Sequence, residues 1–175
     1  RSEREEYGAR ASVMHTSKGG LFTFTANVAP RIIYRDNADW GVFKDAIEAN
    51  PTTPMMDPEN PARYYNFMGQ VVGSNPVERQ KLEQSKGDTK LLDWDATVKL
   101  NLLPLLAKEG KSNHRLTTQL MFADHQYSNY NSWFRPSTST IAINNGREGE
   151  ASRSYSKDRQ QIIEWLTNYS GSFGQ

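Results

Sequence analysis

One stretch of the chain alternates strictly between apolar and polar residues. The apolar positions are Leu92, Trp94, Ala96, Val98, Leu100 and Leu102, and the polar residues between them are Asp93, Asp95, Thr97, Lys99 and Asn101. Successive side chains of a β-strand point to opposite faces, so this pattern predicts a strand with one apolar face and one wet face. At about 3.3 Å per residue, a strand of this length extends about 36 Å and crosses a bilayer when it is tilted.

Four further segments follow the same alternation less strictly. Together with residues 91–102, they predict about five long strands, near residues 7–15, 21–34, 115–126 and 160–173. The first two segments are separated by Ser17-Lys18-Gly19-Gly20, a glycine-containing sequence that is typical of a tight hairpin turn. The pattern therefore favours antiparallel strands joined in sequence order.

The connections between these segments alternate in length. A short turn near Ser17 is followed by a long loop over residues 36–88, and a shorter turn near Leu103 is followed by a long loop over residues 127–155. Outer-membrane barrels have short turns at one rim, long loops at the other, and strands of alternating polarity. The fold class that we predict is mainly β, with long antiparallel strands from a transmembrane β-barrel and short helical insertions in the loops.

The first long loop contains signals for two short helices. Asp36-Asn37-Ala38-Asp39 offers N-cap residues for a helix from Trp40 to Ala49, in which Trp40, Phe43 and Ile47 lie near one face. Asn50-Pro51 ends that helix, and Asn75-Pro76 begins a second helical turn that runs through Val77 to Glu83. We expect this loop to be ordered.

Composition and charge exclude several classes of function. The 21 Lys and Arg residues balance 20 Asp and Glu residues, so we expect no nucleic-acid partner. There is no cysteine, which removes disulfides, thiol nucleophiles and cysteine metal sites. No apolar run reaches the length of a membrane helix. Since the chain starts without Met and stops inside an alternating pattern, we expect it to be a segment of a longer protein.

Candidate catalytic and metal-binding residues are sparse. Asp93 and Asp95 share a strand face about 7 Å apart, within the range of an inverting glycosidase pair, but any strand with a wet face produces such pairs. The histidines His15, His114 and His125 fall in three separate segments without metal-ligand spacing. We therefore expect no enzyme activity, no metal and no cofactor, and a glycoside hydrolase is the last of the alternatives.

Aromatic residues supply the candidate binding site. Tyr127, Tyr130, Trp133 and Phe134 lie among Ser and Asn residues in the second long loop, and Trp40 lies in the first. Aromatic rings stack against sugars or peptides, while neighbouring amides and hydroxyls supply directional hydrogen bonds. We predict that these five residues contact a ligand or a covering protein. The alternative, which is the commoner role for such residues, is that they pack their loops.

Several short motifs resemble SusC/RagA-type TonB-dependent transporters through nearly the whole chain. In order, they are Tyr7-Gly8-Ala9-Arg10-Ala11, Ala38-Asp39-Trp40-Gly41-Val42-Phe43, Asn50-Pro51-Thr52-Thr53-Pro54, Asp57-Pro58-Glu59-Asn60-Pro61, Asn75-Pro76-Val77-Glu78 and Leu102-Leu103-Pro104. Each motif is weak alone, and their order and spacing carry the resemblance. The plug and the TonB box of that family have no counterpart in these residues.

The resemblance implies a function in nutrient import. The family has a 22-stranded barrel in the bacterial outer membrane with an N-terminal plug. It is energised by TonB, is capped by a SusD-like lipoprotein and takes up oligosaccharides or peptides. Residues 1–175 would then be part of the barrel with its extracellular loops, and an excised piece would expose strand edges that favour self-association. The alternative function is a soluble secreted β-domain that binds carbohydrate or acts in adhesion.

Overall fold

The computed structural model describes residues 2–37, 39–103 and 114–171. They form six strands, β1 Glu3–Gly8, β2 Ala11–Thr16, β3 Phe22–Asp36, β4 Gln84–Asn101, β5 His114–Pro136 and β6 Gly149–Gly171. Three helices, α1 Gly41–Glu48, α2 Pro76–Leu82 and α3 Thr140–Asn144, lie in the connections. The strand order is β1-β3-β4-β5-β6, and β2 also pairs with β3. The predicted antiparallel, mainly β fold is confirmed, but the described strands do not close into a barrel.

The first predicted strand, near residues 7–15, is divided into β1 and β2. The division at residues 9 and 10 lies beside Pro30 of β3, whose carbonyl accepts a hydrogen bond from the Ala9 N–H at 3.1 Å. Proline has no N–H, so the ladder between the two strands loses one of its regular bonds at this position. Since β1 and β2 both pair with β3, the sheet is five strands wide, as the alternation pattern predicted.

The predicted hairpin between β2 and β3 is confirmed. The pairing runs from Thr16 opposite Thr23 to Ala11 opposite Val28. At the turn, the Ser17 N–H donates to the Phe22 carbonyl at 3.0 Å. Gly19 and Gly20 have φ angles of 84° and 69°, in the left-handed region that glycine enters without steric cost.

Three strands extend further than predicted, so both predicted long loops were too long. β4 begins at Gln84 rather than near residue 91, β5 continues to Pro136 rather than 126, and β6 begins at Gly149 rather than near 160. The added segments are rich in Ser, Asn, Lys and Arg and carry little apolar periodicity. The connections therefore cover residues 37–83 and 137–148. The turn predicted near Leu103 and the end of the last predicted strand run into residues 104–113 and 172–175, outside the described residues.

Both predicted helices of the first connection are confirmed. The Asp39 Oδ1 atom accepts a hydrogen bond from the Gly41 N–H at 2.8 Å, just before α1. At the start of α2, the Asn75 Oδ1 atom accepts from the N–H groups of Val77 and Glu78 at 3.1 and 3.3 Å. An N-cap side chain satisfies N–H groups that have no partner within the helix, which explains why Asn-Pro marks this start.

The chain divides into two compact units. The helical unit contains residues 2–5, 33–89 and 129–156, and the strand unit contains residues 6–32, 90–128 and 157–171, in each case as far as they are described. The helical unit has a small core around Phe67 and Ala142, whose exposed fractions are 1% and 0%. In the strand unit, Ala123 is the buried apolar residue among those described. Most of that unit's large side chains therefore remain accessible.

Candidate ligand cleft and apolar sheet face

The strand unit presents an apolar face. One recess of this face lies beside Ala11, Val13, Ala26, Val28, Trp94 and Ala96, and another is lined by Val98, Leu100, Thr118, Leu120 and Trp165. The rings of Trp94 and Phe122 pack across β4 and β5 with centroids 5.1 Å apart. Leu120 and Trp165 are 55% and 78% exposed. The strand predicted from Leu92 to Leu102 is confirmed as far as Asn101, and its apolar positions contribute to this face.

The opposite face of the strand unit carries hydrogen-bonded polar side chains. Asn27 Nδ2 donates to Asp95 Oδ2 at 2.8 Å, and Ser12 Oγ donates to Asn27 Oδ1 at 2.7 Å. His125 Nδ1 lies 3.0 Å from Asp93 Oδ1. Asp93 and Asp95 therefore each contact a polar neighbour on the wet face. Among the described residues, no three His, Asp or Glu side chains are grouped closely enough to hold a metal ion.

A buried ion pair lies at one border of the apolar face. The Asp124 side chain is fully buried, and Arg159 donates from Nε to its two oxygens at 3.1 and 3.0 Å and from Nη2 to one of them. The amide of Gln161 lies 3.4 Å from the same carboxylate. Arg159 remains 51% exposed. The carboxylate thus fixes an accessible guanidinium at the point where the apolar residues of β5 and β6 end.

The helical unit contains a cleft of about 770 Å³. Its lining comes from Ser2, from residues that follow β3, from α1 and α2, from the start of β4, and from Trp133 of β5. Trp40 and Phe43 stack with ring centroids 5.4 Å apart, and Trp40 is 73% exposed. On the other side, the Arg135 guanidinium lies 4.8 Å from the Trp133 ring centroid, at the distance of a cation–π contact. The cleft therefore offers two indole rings together with charged and amide groups.

Helix α1 is attached by ion pairs, and its large apolar side chains are exposed. Arg79 of α2 contacts the carboxylates of Asp39 and Asp45. The buried residue of α1 is Val42, whereas Phe43 and Ile47 are 56% and 85% exposed. An amphipathic helix ordinarily packs its apolar side against its own core. Here Phe43 and Ile47 of α1, with Trp40 just before the helix, form an exposed apolar stripe instead. Exposed apolar patches of this kind are typical of binding surfaces.

A chain of alternating charges connects the elements around the cleft. Arg135 Nε lies 2.7 Å from Glu83 Oε1, and Arg135 Nη1 lies 2.5 Å from Glu150 Oε2. Arg147 contacts the same Glu150 carboxylate. These contacts tie the end of α2 to β5 and β6 and hold the guanidinium that lies over Trp133. Trp133 is therefore supported by a fixed cation.

The structure separates the five predicted site residues. The prediction that Tyr127, Tyr130, Trp133 and Phe134 lie in a loop is wrong, because all four lie on β5. Within the helical unit, strand alternation places Trp133 on one face of β5 and Tyr130 and Phe134 on the other, and Tyr127 belongs to the strand unit. Trp133 and Trp40, predicted in two different loops, line the same cleft.

The sequence analysis did not identify Arg79 and Arg135, which contact residues around the cleft. Arg135 follows Trp133 by two residues, and in a strand this spacing puts both side chains on one face. The sequence analysis placed them in a loop, where the spacing predicts no contact. Arg79 lies in the predicted second helix, but its contacts with Asp39 and Asp45 span more than thirty residues of sequence. Long-range ion pairs of this kind leave no local pattern. By contrast, Phe43 was visible in the sequence through its helical spacing from Trp40.

No protein-family model matches the chain, and no curated protein matches it significantly. Within the described residues, no helix is long and apolar enough to span a membrane. The functional assignment therefore depends on the sheet face and the cleft themselves.

Proposed function

We propose that this chain is part of the wall of an outer-membrane β-barrel importer of the SusC/RagA type, which takes up glycans or peptides. A SusD-like lipoprotein and TonB would act on the longer protein. The observation that carries the proposal is the exposed apolar face of the strand unit, opposite a face of hydrogen-bonded polar side chains. A barrel wall with lipid on one side and water on the other requires this arrangement.

The dimensions of the strands support a membrane-spanning role. β3, β4, β5 and β6 contain 15, 18, 23 and 23 residues, whereas an ordinary strand has about 5–6. The eleven residues from Leu92 to Leu102 extend about 36 Å, which at a tilt of about 45° gives an apolar band about 25 Å tall. That height is the one expected for the lipid-facing band of an outer-membrane barrel.

Adjacent substitutions on the two faces test the membrane proposal. In the longer protein, Val98→Arg places a charge on the apolar face, and Thr97→Arg places it on the wet face of the same strand. We expect Val98→Arg to cost about 2–4 kcal/mol of folding free energy in lipid vesicles, and Thr97→Arg to cost less than about 1 kcal/mol. Folding is measured by heat-dependent gel mobility after urea dilution into vesicles. Equal costs at the two positions would contradict a lipid-facing role.

The cleft of the helical unit is the proposed contact site for the imported molecule. Flat indole faces stack on sugar rings or peptide groups, and the surrounding charged and amide groups orient such a ligand by hydrogen bonds. Trp133 is held beside Arg135, and Trp40 is braced by Phe43, so both rings are preorganised. The exposed stripe of α1, which continues from Trp40 to Ile47, is the proposed contact for the covering lipoprotein.

A set of alanine substitutions separates these roles. Trp133→Ala is expected to weaken substrate binding by about 10- to 100-fold, the range for an aromatic anchor, while Tyr130→Ala on the opposite face of β5 serves as the matched control. Ile47→Ala is expected to weaken lipoprotein binding without affecting the substrate. Binding is measured by calorimetry on the purified transporter, with and without the lipoprotein. Loss of substrate binding in Tyr130→Ala but not in Trp133→Ala would reverse the assignment.

The second candidate function is a soluble secreted β-domain that binds carbohydrate or mediates adhesion. The cleft with its two indoles supports this candidate too, because a soluble domain can stack a sugar on exposed indole rings in the same way. It leaves the apolar face of the strand unit without a covering layer among the described residues. Fractionation of cells that express the longer protein distinguishes the two candidates, because the importer remains with the outer membrane after salt and carbonate washes and the soluble domain is released.

A further inference from the structure

We propose that the border of the apolar face formed by Lys90, Lys157 and Arg159 binds the phosphate groups of anionic lipid headgroups. This inference rests on the proposed function, since it concerns the membrane in which the strand unit would lie. It adds a property that a lipid-facing sheet does not require, namely a preference for negatively charged lipid at one end of the apolar band.

The three cations lie on the apolar face. Lys90 is four residues from Trp94 along β4, so strand alternation places both side chains on the same face. Arg159 is six residues from Trp165 along β6 and likewise shares its face. Lys157 precedes Arg159 by two residues and shares its facing. The contacts of Arg159 confirm this placement, because it meets Asp124, two residues from the Phe122 ring that packs on Trp94.

By strand alternation, the border has three cations, Lys90, Lys157 and Arg159, against two carboxylates, Asp124 and Asp88, so a net positive charge remains. Asp124 is fully buried beneath Arg159 and Gln161, so its carboxylate balances Arg159. Lys90 and Lys157 are exposed, and no carboxylate among the described residues lies within ion-pair distance of either ammonium. At the opposite end of the face, Lys99 and Arg115 point to the wet side by alternation, and Lys18 lies in the hairpin turn. The cations that share the facing of the apolar residues therefore lie at one border.

Lysine beside an apolar band suits a lipid phosphate. Its aliphatic stem lies along apolar surface while the ammonium reaches the headgroup region, where it offers three hydrogen-bond donors. Each Lys or Arg near the membrane surface increases the affinity of a protein for anionic lipid. Arg159, oriented by Asp124, adds a further accessible donor group beside them. The partner class is thus a lipid with an anionic phosphate headgroup, in the leaflet next to residues 90 and 157.

Quenching of tryptophan fluorescence by brominated lipids tests the proposal. The longer protein is inserted into phosphatidylcholine vesicles that contain brominated phosphatidylglycerol or, in parallel, brominated phosphatidylcholine, and relative lipid affinities are obtained from the quenching. The wild type is expected to prefer phosphatidylglycerol, and Lys90→Gln with Lys157→Gln to lose about fivefold of that preference per lysine. Lys99→Gln, on the other face of β4, is the matched control. Arg159 is left intact because its loss would strand the buried Asp124 carboxylate.

The outcomes separate this inference from the proposed function. Normal insertion together with an unchanged preference in the double variant, or no preference in the wild type, would overturn the headgroup site and leave the importer proposal standing. Failure of the wild type to insert into either vesicle would overturn both. If the preference for phosphatidylglycerol fell equally in the double variant and in Lys99→Gln, net charge alone would explain it. That result would also overturn the site.

Discussion

Two buried polar side chains organise the helical unit at the level of single residues. Asn75 is completely buried and uses both ends of its amide. Its Nδ2 donates to the carbonyls of Met55 and Tyr65 at 2.7 and 3.2 Å, and its Oδ1 caps α2. Glu78, 1% exposed, accepts from the Thr140 N–H at 2.6 Å and from the Thr140 hydroxyl. The two residues fix the long connection, α2 and α3 without an extensive apolar core.

Glu78→Gln is expected to destabilise the helical unit by about 1–3 kcal/mol. The amide can still accept from the Thr140 N–H and donate to the Thr140 hydroxyl, but two charge-assisted hydrogen bonds become weaker neutral ones. Urea unfolding followed by tryptophan fluorescence measures the change. The control is Glu48→Gln, whose exposed carboxylate lies 3.8 Å from Lys44 and is expected to contribute less than about 0.5 kcal/mol. Equal losses in the two variants would show that the buried bonds to Thr140 contribute nothing special.

The sequence predicts one of these two residues and not the other. Asn75 was identified as a helix start because an Asn-Pro pair is a local signal for an N-cap. The partner of Glu78 is 62 positions away, so nothing near Glu78 in the sequence distinguishes it from a surface glutamate. Helix capping involves residues close together in sequence, so a short motif predicts it. The contact between Glu78 and Thr140 is long-range, so it becomes visible only in the folded structure.

At the level of elements, α1 depends on Arg79 for its position. Substituting Arg79 with Met removes its ion pairs with Asp39 and Asp45, together with the longer one to Glu83 at 3.9 Å. We expect a loss of about 2 kcal/mol in the docking of α1, less than for a fully buried pair because Arg79 is 18% exposed. The expected readout is faster proteolysis within residues 39–50 and a shift of Trp40 emission. Lys44→Met, on the exposed side of α1, is the control and is expected to leave proteolysis unchanged.

The extents of the strands show where sequence patterns fail for elements. Apolar alternation predicted the strand segments that form the apolar face, because one face of each is apolar and the other is wet. Residues 127–136 of β5 are rich in Ser, Asn and Tyr, which are also common in loops. Pairing with neighbouring strands supplies their order, and that pairing is long-range. This is why the predicted loop cluster turned out to be two faces of a strand.

At the scale of the whole molecule, the open sheet edges predict self-association of residues 1–175 on their own. β6 and the β1–β2 pair form the two edges among the described strands, and β6 is exposed along nearly all of its length. Unpaired strand edges are templates for pairing with another chain. We expect the chain in detergent to sediment as oligomers that grow with concentration, whereas in the proposed barrel neighbouring strands would cover these edges and the protein would remain monomeric. A monomeric isolated chain at every concentration would contradict this expectation.

The double role of Asn75 has a consequence for how this sequence can evolve. Aspartate would keep the helix cap but lose the two donors to Met55 and Tyr65, and glutamine would carry the same groups one carbon farther from the backbone. No other side chain combines these donors and acceptors at this reach. Selection for correct folding would therefore hold position 75 fixed, whereas the exposed aromatic residues of the cleft, such as Trp40, carry no comparable folding constraint. Among homologues, an invariant Asn at position 75 would then report on the scaffold and not on a binding role.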